Sequence, residues 1–190
     1  MYNDLYDENI YGENIDEIGK INIKNTTFKK CKFNNVNFTI ANLEKVDFEE
    51  CIFNNCELSN KSFDEGYFSK DKFNSCKMTG VSFIDGYIEK SIFNDSLLNY
   101  SNFSGAKLKE VKFTISDLSE STFINTKLNK TVFDETKLVK SEFSNTSLKN
   151  IDLSTCNIDG TKFDLYSLKG LTIDSMQAYN LMYMLGVNIK

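Results

Sequence analysis

The chain has 190 residues and a net charge of −5. All 22 basic residues are lysine, and histidine, proline and tryptophan are absent. Without arginine the chain cannot clamp phosphate or carboxylate groups in bidentate fashion, and without histidine it lacks the most common general base and metal ligand. The composition therefore argues against an enzyme and against a metal or other cofactor, and the negative charge argues against direct binding to nucleic acid.

The N-terminal segment, 1–20, is acidic and rich in tyrosine. It contains neither the positively charged start nor the apolar stretch of a secretory signal peptide. No apolar run in the chain reaches the length of roughly 18 residues that a transmembrane helix needs. We therefore expect a cytoplasmic protein with no membrane partner, in which 1–20 form an acidic N-terminal segment or cap.

A period of five dominates the chain from Ile23 to Ile173. All 16 phenylalanines occupy residue numbers that leave a remainder of three on division by five, and every position of this series is Phe, Leu, Ile or Met. A helix repeats every 3.6 residues and a strand every two, so this period fits neither element. It indicates a chain that turns a corner at every fifth position and points one large side chain inward from each side.

A second inward position lies two places before each large one, and it is mostly small, as at Thr26, Cys31 and Ala41. The other three positions of each repeat are mostly polar. The chain therefore resembles the pentapeptide-repeat family, whose consensus is roughly Ala-(Asp/Asn)-Leu-X-X, and the segment ANLEK at 41–45 is nearly identical to it. The resemblance implies an all-β fold, a right-handed quadrilateral β-helix over 21–173. In that fold four repeats form one coil, so that each residue lies over its equivalent in the preceding coil.

This arrangement predicts four columns of inward side chains. Two opposite sides carry phenylalanine columns, one running from Phe63 to Phe163 and the other from Phe33 to Phe133. The two sides between them change to leucine from Leu98 and Leu108 onward. Because each coil contacts only its neighbours, stability should come mainly from stacking between adjacent coils.

The small inward position is not always small. It is occupied by Lys61, Asp71 and Tyr166 at three places. The five cysteines all lie in this position, and we interpret them as small apolar fillers, not as a disulfide or metal set, because the sequence has no CxxC motif. These are Cys31, Cys51, Cys56, Cys76 and Cys156.

Two tyrosines are predicted to stack on the outside of one corner. Tyr67 and Tyr87 occupy equivalent places in adjacent coils, within the segments EGYF and DGYI. Such a pair can be a contact site for a partner, or it can be a cross-strand aromatic pair that only covers its neighbours. The sequence leaves both interpretations open.

The last segment, 174–190, has a different pattern and is predicted to hold a short C-terminal helix and a tail. Asp174 and Gln177 form a capping box at its start. A stripe of apolar residues follows with helical spacing, and it consists of Ala178, Leu181, Met182 and Leu185. This helix should cover the core that the last coil would otherwise expose. Tyr183 and Met184 lie off the stripe, which suggests a second contact beyond the cap.

The C-terminal segment LKGLTIDSMQAYNLMYMLGVNIK is similar to the C-terminal signature of Qnr- and MfpA-type quinolone-resistance proteins. The resemblance implies a homodimer joined end to end through the helix, with an interface at Leu181, Met182, Tyr183, Met184 and Leu185. It also implies that the dimer imitates DNA in shape and charge and binds a type II topoisomerase, chiefly DNA gyrase.

A DNA mimic needs carboxylates in rows, because DNA presents a dense line of negative charge. Positions 1–95 hold 17 acidic and 11 basic side chains, whereas positions 96–190 hold 10 and 11. Stacking of successive coils gathers a candidate acidic surface in the first half, with lysines interspersed. It comprises Glu44, Asp47, Glu49, Glu50, Asp64, Glu65, Asp85 and Glu89.

Two functions follow from these patterns. The first is a DNA-mimicking protein that binds DNA gyrase and protects it from quinolones. The second is a pentapeptide-repeat scaffold that binds another protein partner, which the mixed charge of the surface favours.

Overall fold

The structure is a computed structural model that describes residues 5–184 and residue 187, with only the backbone of Met184. Its strands are short and all pair in parallel. They are β1 (Leu5–Tyr6), β2 (Asn9–Tyr11), β3 (Asn14–Ile15), β4 (Asn22–Lys29), β5 (Lys32–Asn34), β6 (Asn42–Glu49), β7 (Ile52–Asn54), β8 (Tyr67–Ser69), β9 (Lys72–Asn74), β10 (Tyr87–Glu89), β11 (Ile92–Asn94), β12 (Lys107–Lys109), β13 (Lys112–Thr114), β14 (Lys127–Asn129) and β15 (Val132–Asp134). A 3₁₀ turn, Phe38–Ile40, and one helix, α1 (Ser175–Met184), complete the list.

The predicted quadrilateral β-helix is confirmed. Strands in equivalent places of adjacent coils pair in register, for example Phe93 with Phe113 and Leu108 with Leu128. We call the side that carries the eight-stranded sheet, in which β14 follows β12, side A. Side B carries the seven-stranded sheet that ends at β15. Sides C and D, which follow in chain order, pair mainly through single bridges such as Lys77 to Leu97 and Ser82 to Asn102.

Most corners of the coil have a left-handed backbone. Among the described residues, 24 other than glycine have positive φ angles, and all of them except Asp7 lie at numbers divisible by five. Asparagine recurs there, as at Asn35 and Asn55, because its short polar side chain tolerates this conformation. The corner is therefore the structural origin of the period of five.

The two phenylalanine columns form the walls of the core, as predicted. Rings in one column stack, with Phe93 and Phe113 5.0 Å apart and Phe103 and Phe123 4.9 Å apart. The columns meet edge to face across the core, where the Phe103 and Phe113 ring planes are inclined by 79°. Both geometries are favourable for aromatic pairs. All five cysteines are buried free thiols, in agreement with their interpretation as small fillers.

The acidic N-terminal segment pairs with the solenoid at a shorter offset than the regular coils do. β1, β2 and β3 lie against β4 and β5, with Leu5 beside Ile23 and Asn14 beside Lys32. Ile15 and Ile18 are buried there. This segment thus covers the first full coil with backbone pairing that the period of five does not reveal.

The unusual residues in the small inward position are accommodated in different ways. The ammonium group of Lys61 donates hydrogen bonds to the carbonyl oxygens of Thr39 and Ala41, and burial lowers the pKa of this lysine. Tyr166 turns outward, and Ser167 takes the inward place and donates to the carbonyl of Phe143. The register therefore slips by one position at this point.

Asp71 is a fully buried carboxylic acid. Its Oδ1 accepts a hydrogen bond from the backbone N–H of Cys51 at 2.8 Å, whereas its Oδ2 has no hydrogen-bond partner in the part of the chain that the structure describes. Burial raises the pKa of Asp71 to about 8. The group is therefore mostly protonated at neutral pH, which avoids the large cost of a buried unpaired charge.

Candidate functional site

The predicted acidic surface lies on sides D and A of the first half, and lysines pair with four of its eight carboxylates. Each pair joins equivalent places in adjacent coils, so the solenoid itself brings the opposite charges together. The pairs and their N–O distances are Lys24–Glu44 at 2.9 Å, Lys29–Glu49 at 3.1 Å, Lys70–Glu50 at 2.8 Å and Lys109–Glu89 at 3.3 Å. The hydrogen bond from Lys70 holds the pKa of Glu50 below its usual value.

Two further carboxylates of this surface accept hydrogen bonds from backbone N–H groups. Asp47 accepts a hydrogen bond from the N–H of Tyr67 at 2.8 Å. Asp64 accepts from the N–H of Ile84 at 2.9 Å and from the Ser82 hydroxyl. These contacts satisfy N–H groups between coils, so both aspartates contribute to the fold as well as to the surface charge.

Glu65 and Asp85 remain as the least engaged members of the surface. Both are exposed and occupy consecutive turns of the corner between sides D and A, with φ angles of 58° and 55°. Within residues 5–184, neither side chain has an ion pair or a side-chain hydrogen bond. We call these two residues the free acidic corner.

Tyr67 and Tyr87 stack on side A as predicted, with ring centroids 5.8 Å apart and planes within 8° of parallel. Both hydroxyl groups donate to the carboxylate of Glu89, at 3.2 and 3.3 Å. Lys109 binds the same carboxylate. The tyrosines thus hold one acidic residue in place at the boundary between the two halves of side A.

The C-terminal helix begins as the capping box predicts. The Asp174 carboxylate accepts from the N–H groups of Met176 and Gln177, and the Gln177 amide oxygen accepts from the N–H of Asp174. The buried Gln177 also donates to the carbonyls of Leu153 and Cys156. These polar contacts join the helix to the last coil, and the predicted apolar stripe did not include them.

The helix face against the coil differs from the predicted stripe. Gln177, Ala178 and Leu181 face the solenoid, whereas Met182 is 36% exposed and Tyr183 is 76% exposed. Leu185 and the side chain of Met184, also predicted at the interface, lie outside the described residues. The register slip at Tyr166 exposes two apolar side chains of the last coil, Leu165 and Tyr166. The helix exposes four more, and we call these four the C-terminal apolar patch: Met176, Tyr179, Met182 and Tyr183.

A cavity of about 250 Å³ lies between the helix and the last coil and adjoins this patch. Phe163, Leu181 and Tyr183 line it together with Gln177 and Gly160. No group of three or more Asp, Glu or Cys side chains with the arrangement of a metal site occurs in the part of the chain described. Among those same residues, no helix has the length and apolar character needed to cross a membrane.

The fold and its two exposed surfaces define a class of protein, a parallel β-solenoid with an acidic corner in one half and an apolar helix at its end. The sequence model for pentapeptide repeat regions matches 46–123 and 114–173, and that for pentapeptide repeats in eight copies matches 21–60. The chain therefore belongs to the pentapeptide-repeat family. No curated protein sequence matches it.

Several solved structures match this chain. A trypsin-treated variant of QnrB1, described as a plasmid-mediated fluoroquinolone resistance protein, is 22% identical with a TM-score of 0.53, over 98% of this chain and 99% of that one. HetL, a pentapeptide repeat protein involved in heterocyst differentiation regulation in Nostoc, is 12% identical with a TM-score of 0.33, over 92% of each chain. A thylakoid-lumen pentapeptide repeat protein of Arabidopsis thaliana is 21% identical with a TM-score of 0.37, over 52% of this chain and 66% of that one.

Proposed function

We propose that this protein is a binding protein and not an enzyme, and that its partner is a type II topoisomerase, DNA gyrase in the first instance. The observation that carries the proposal is the similarity in fold to QnrB1 over nearly the whole length of both chains. A resistance protein of that shape acts through what it binds, and the same role would place this protein in the cytoplasm with the enzyme. Binding would shield the topoisomerase from quinolones.

The free acidic corner supports this proposal as the first point of contact. Glu65 and Asp85 need no rearrangement before they meet a cationic surface, because no lysine covers them among the described residues. The four lysine-paired carboxylates would first have to exchange their partners. Exposed ion pairs contribute only about 0–1 kcal/mol each, so a strongly basic enzyme surface can displace these lysines.

The C-terminal apolar patch supports a homodimer, with Met182 and Tyr183 at the contact between the two copies. A two-fold axis pairs the same patch with itself and removes the apolar side chains of both copies from water. We expect light scattering to give a dimer for the full chain. Met182→Glu combined with Tyr183→Glu should give a folded monomer, and a wild-type monomer at micromolar concentration would contradict the dimer.

A supercoiling assay with purified DNA gyrase, with and without a fluoroquinolone, tests the function. We expect the protein to restore supercoiling in the presence of the drug. A heat-denatured sample of the same protein is the control for non-specific effects. Unchanged inhibition by the drug across a range of protein concentrations would contradict a protective role.

A scaffold that binds another protein is the second candidate, and the lysine pairing of the acidic surface is the observation that favours it. Ion pairs between Lys24 and Glu44 and between Lys70 and Glu50 reduce the negative field that a DNA mimic needs. If the chain shows no affinity for either bacterial type II topoisomerase, this second function takes precedence.

A further inference from the structure

Side A of the second half is strongly basic in a protein that is acidic overall. Five outward lysines lie there within 106–150, against the single carboxylate of Glu110. The other three sides of the same coils carry three lysines and five carboxylates in outward positions. We call the five residues the lysine face, and they are Lys107, Lys109, Lys127, Lys130 and Lys149.

Stability of the solenoid does not explain this face. Lys107 and Lys127 are direct partners in adjacent parallel strands, and like charges directly opposite each other are destabilising. Lys109 is paired with Glu89, and Lys130 lies 3.9 Å from Glu110. Lys107, Lys127 and Lys149 are exposed and have no ion pair among the described residues. Three positive charges are therefore available to a partner.

The same side contains an open strand edge. In the regular coils the N–H groups of side A donate to the next coil, as Lys90 does to Lys109 and Glu110 to Asn129, each at 2.8 Å. The equivalent N–H groups of Leu128 and Lys130 have no such acceptor within the described chain. β14 is accordingly the last strand of its sheet. Leu128 is partly exposed at a cleft of about 450 Å³, which Lys127, Ser147 and Tyr166 also line.

The opening coincides with an unusual residue in the small inward position. The small inward hydroxyls normally tie one coil to the one before it, as Thr131 does when it donates to the carbonyl of Leu108 at 3.2 Å. The next residue in this column is Ile151, which is buried, larger than threonine and without a hydroxyl. It cannot make the equivalent bond to the carbonyl of Leu128. Val111 in the same column also lacks a hydroxyl, yet β10 and β12 pair in register there, so the feature that distinguishes this corner is the larger volume of isoleucine.

We propose that the lysine face and the edge of β14 bind an extended acidic segment of a partner protein, which adds a strand to β14. A peptide backbone supplies both donors and acceptors for a strand edge, and its carboxylates match Lys107, Lys127 and Lys149. A nucleic acid backbone supplies acceptors only, and this chain has no arginine to clamp its phosphates. The site is separate from the free acidic corner, so it does not depend on topoisomerase binding.

Fluorescence anisotropy with a labelled polyglutamate peptide tests the charge requirement. We expect the triple variant Lys107→Glu, Lys127→Glu, Lys149→Glu to bind at least about tenfold more weakly than wild type. The matched control Lys112→Glu, Lys137→Glu, Lys140→Glu makes the same change of charge on the other sides of these coils. It should bind within about twofold of wild type, because solvent and salt screen charges on other sides.

A further variant, Ile151→Thr, tests the strand edge without any change of charge. The new hydroxyl should bond the Leu128 carbonyl, close the cleft, slow hydrogen exchange at the N–H groups of Leu128 and Lys130, and weaken peptide binding by about threefold or more. Four results would overturn the proposal. They are no binding by wild type, equal losses in the two triple variants, tighter binding of a single-stranded oligonucleotide of equal charge, and unchanged peptide affinity when exchange at Leu128 has slowed.

Discussion

The first and second halves of the solenoid share one repeat but solve the problem of packing it differently. In the first half a third phenylalanine column, Phe28, Phe48 and Phe68, joins the two main ones, and thiols fill four of the small positions. In the second half leucines replace that column, and hydroxyls such as that of Thr126 bond the coil before them. The first half also contains a buried carboxylic acid, whereas the second contains an open corner.

The two halves of the solenoid also differ in the charge of their surfaces. Ion pairs between adjacent coils neutralise much of the acidic first half, whereas lysines with no ion pair among the described residues gather on one side of the second half. A solenoid has the same backbone in every coil, so its function resides in what each column presents outward. Changes to single columns should therefore separate stability from binding more cleanly than in a globular protein.

The largest expected effect is the loss of a phenylalanine from a main column. Phe113→Ala should lower the free energy of unfolding by about 3–5 kcal/mol, because the ring is fully buried and stacks on Phe93 and Phe133. The matched control is Tyr100→Ala, which removes an exposed ring from a neighbouring coil. Urea unfolding measures both, and a loss below about 1 kcal/mol for Phe113→Ala would show that the columns do not stabilise the fold.

The next effect is a dependence on pH that belongs to the first half. The pKa of Asp71 is raised to about 8 by burial, against about 3.9 for an unfolded aspartate. The folded state therefore holds the proton more strongly, and its stability falls as the pH rises from about 4 to 8. Asp71→Ser should remove this dependence on pH and raise the free energy of unfolding by roughly 2–5 kcal/mol at pH 8.

Serine suits this position because Ser91, one coil further on, already accepts a hydrogen bond from the N–H of Asp71 at 3.0 Å. A serine at 71 can accept from Cys51 in the same way. Unfolding at pH 5 and pH 8 gives the slope, with Asp159→Ser in the exposed surface of the second half as control. Parallel pH profiles for wild type and Asp71→Ser would contradict the assignment of a protonated buried acid.

The smallest effect concerns a corner of the second half. Ile115 has a φ angle of 52°, and a β-branched residue is strained in this region. Ile115→Asn should raise the free energy of unfolding by about 0.5–1 kcal/mol, because Asn35 and Asn55 adopt the same conformation in its column. Ile92→Asn, in an extended strand, should give no gain. A gain at both positions would attribute the effect to polarity, not to the backbone.

Much of this molecule follows from its sequence. The position of every phenylalanine predicted the columns, because a coil of four repeats leaves no other register for them. The capping box at Asp174 and Gln177 likewise predicted the start of the C-terminal helix. The ion pairs were also within reach, since Lys29 and Glu49 occupy equivalent places in adjacent coils, as do Lys107 and Lys127 on the lysine face. Arranging the lysines in columns together with the acidic residues would have predicted both the ion-paired acidic surface and the lysine face.

Other features could not be predicted from the repeat alone, because they depend on competing ways of packing individual side chains and strands. The shorter offset that pairs Leu5 with Ile23 lies outside the phenylalanine series, so no period marks it. At Tyr166 the repeat would bury a tyrosine, but the chain slips by one position, and Ser167 lies inward and donates to the carbonyl of Phe143. The opening at Ile151 could not be predicted either, because the repeat does not show how large a side chain the small inward position accepts between regularly paired coils.

The measurement that tests the central claim most directly is the binding of DNA gyrase by a variant of the free acidic corner. Glu65→Lys with Asp85→Lys should fold normally, because Lys45 and Lys70 already occupy corners with positive φ. Glu120→Lys with Glu135→Lys makes the same change at corners of the second half. In surface plasmon resonance we expect wild type and the second variant to bind gyrase, and the first to bind at least about tenfold more weakly. Equal binding by all three, or none by wild type, would contradict the account.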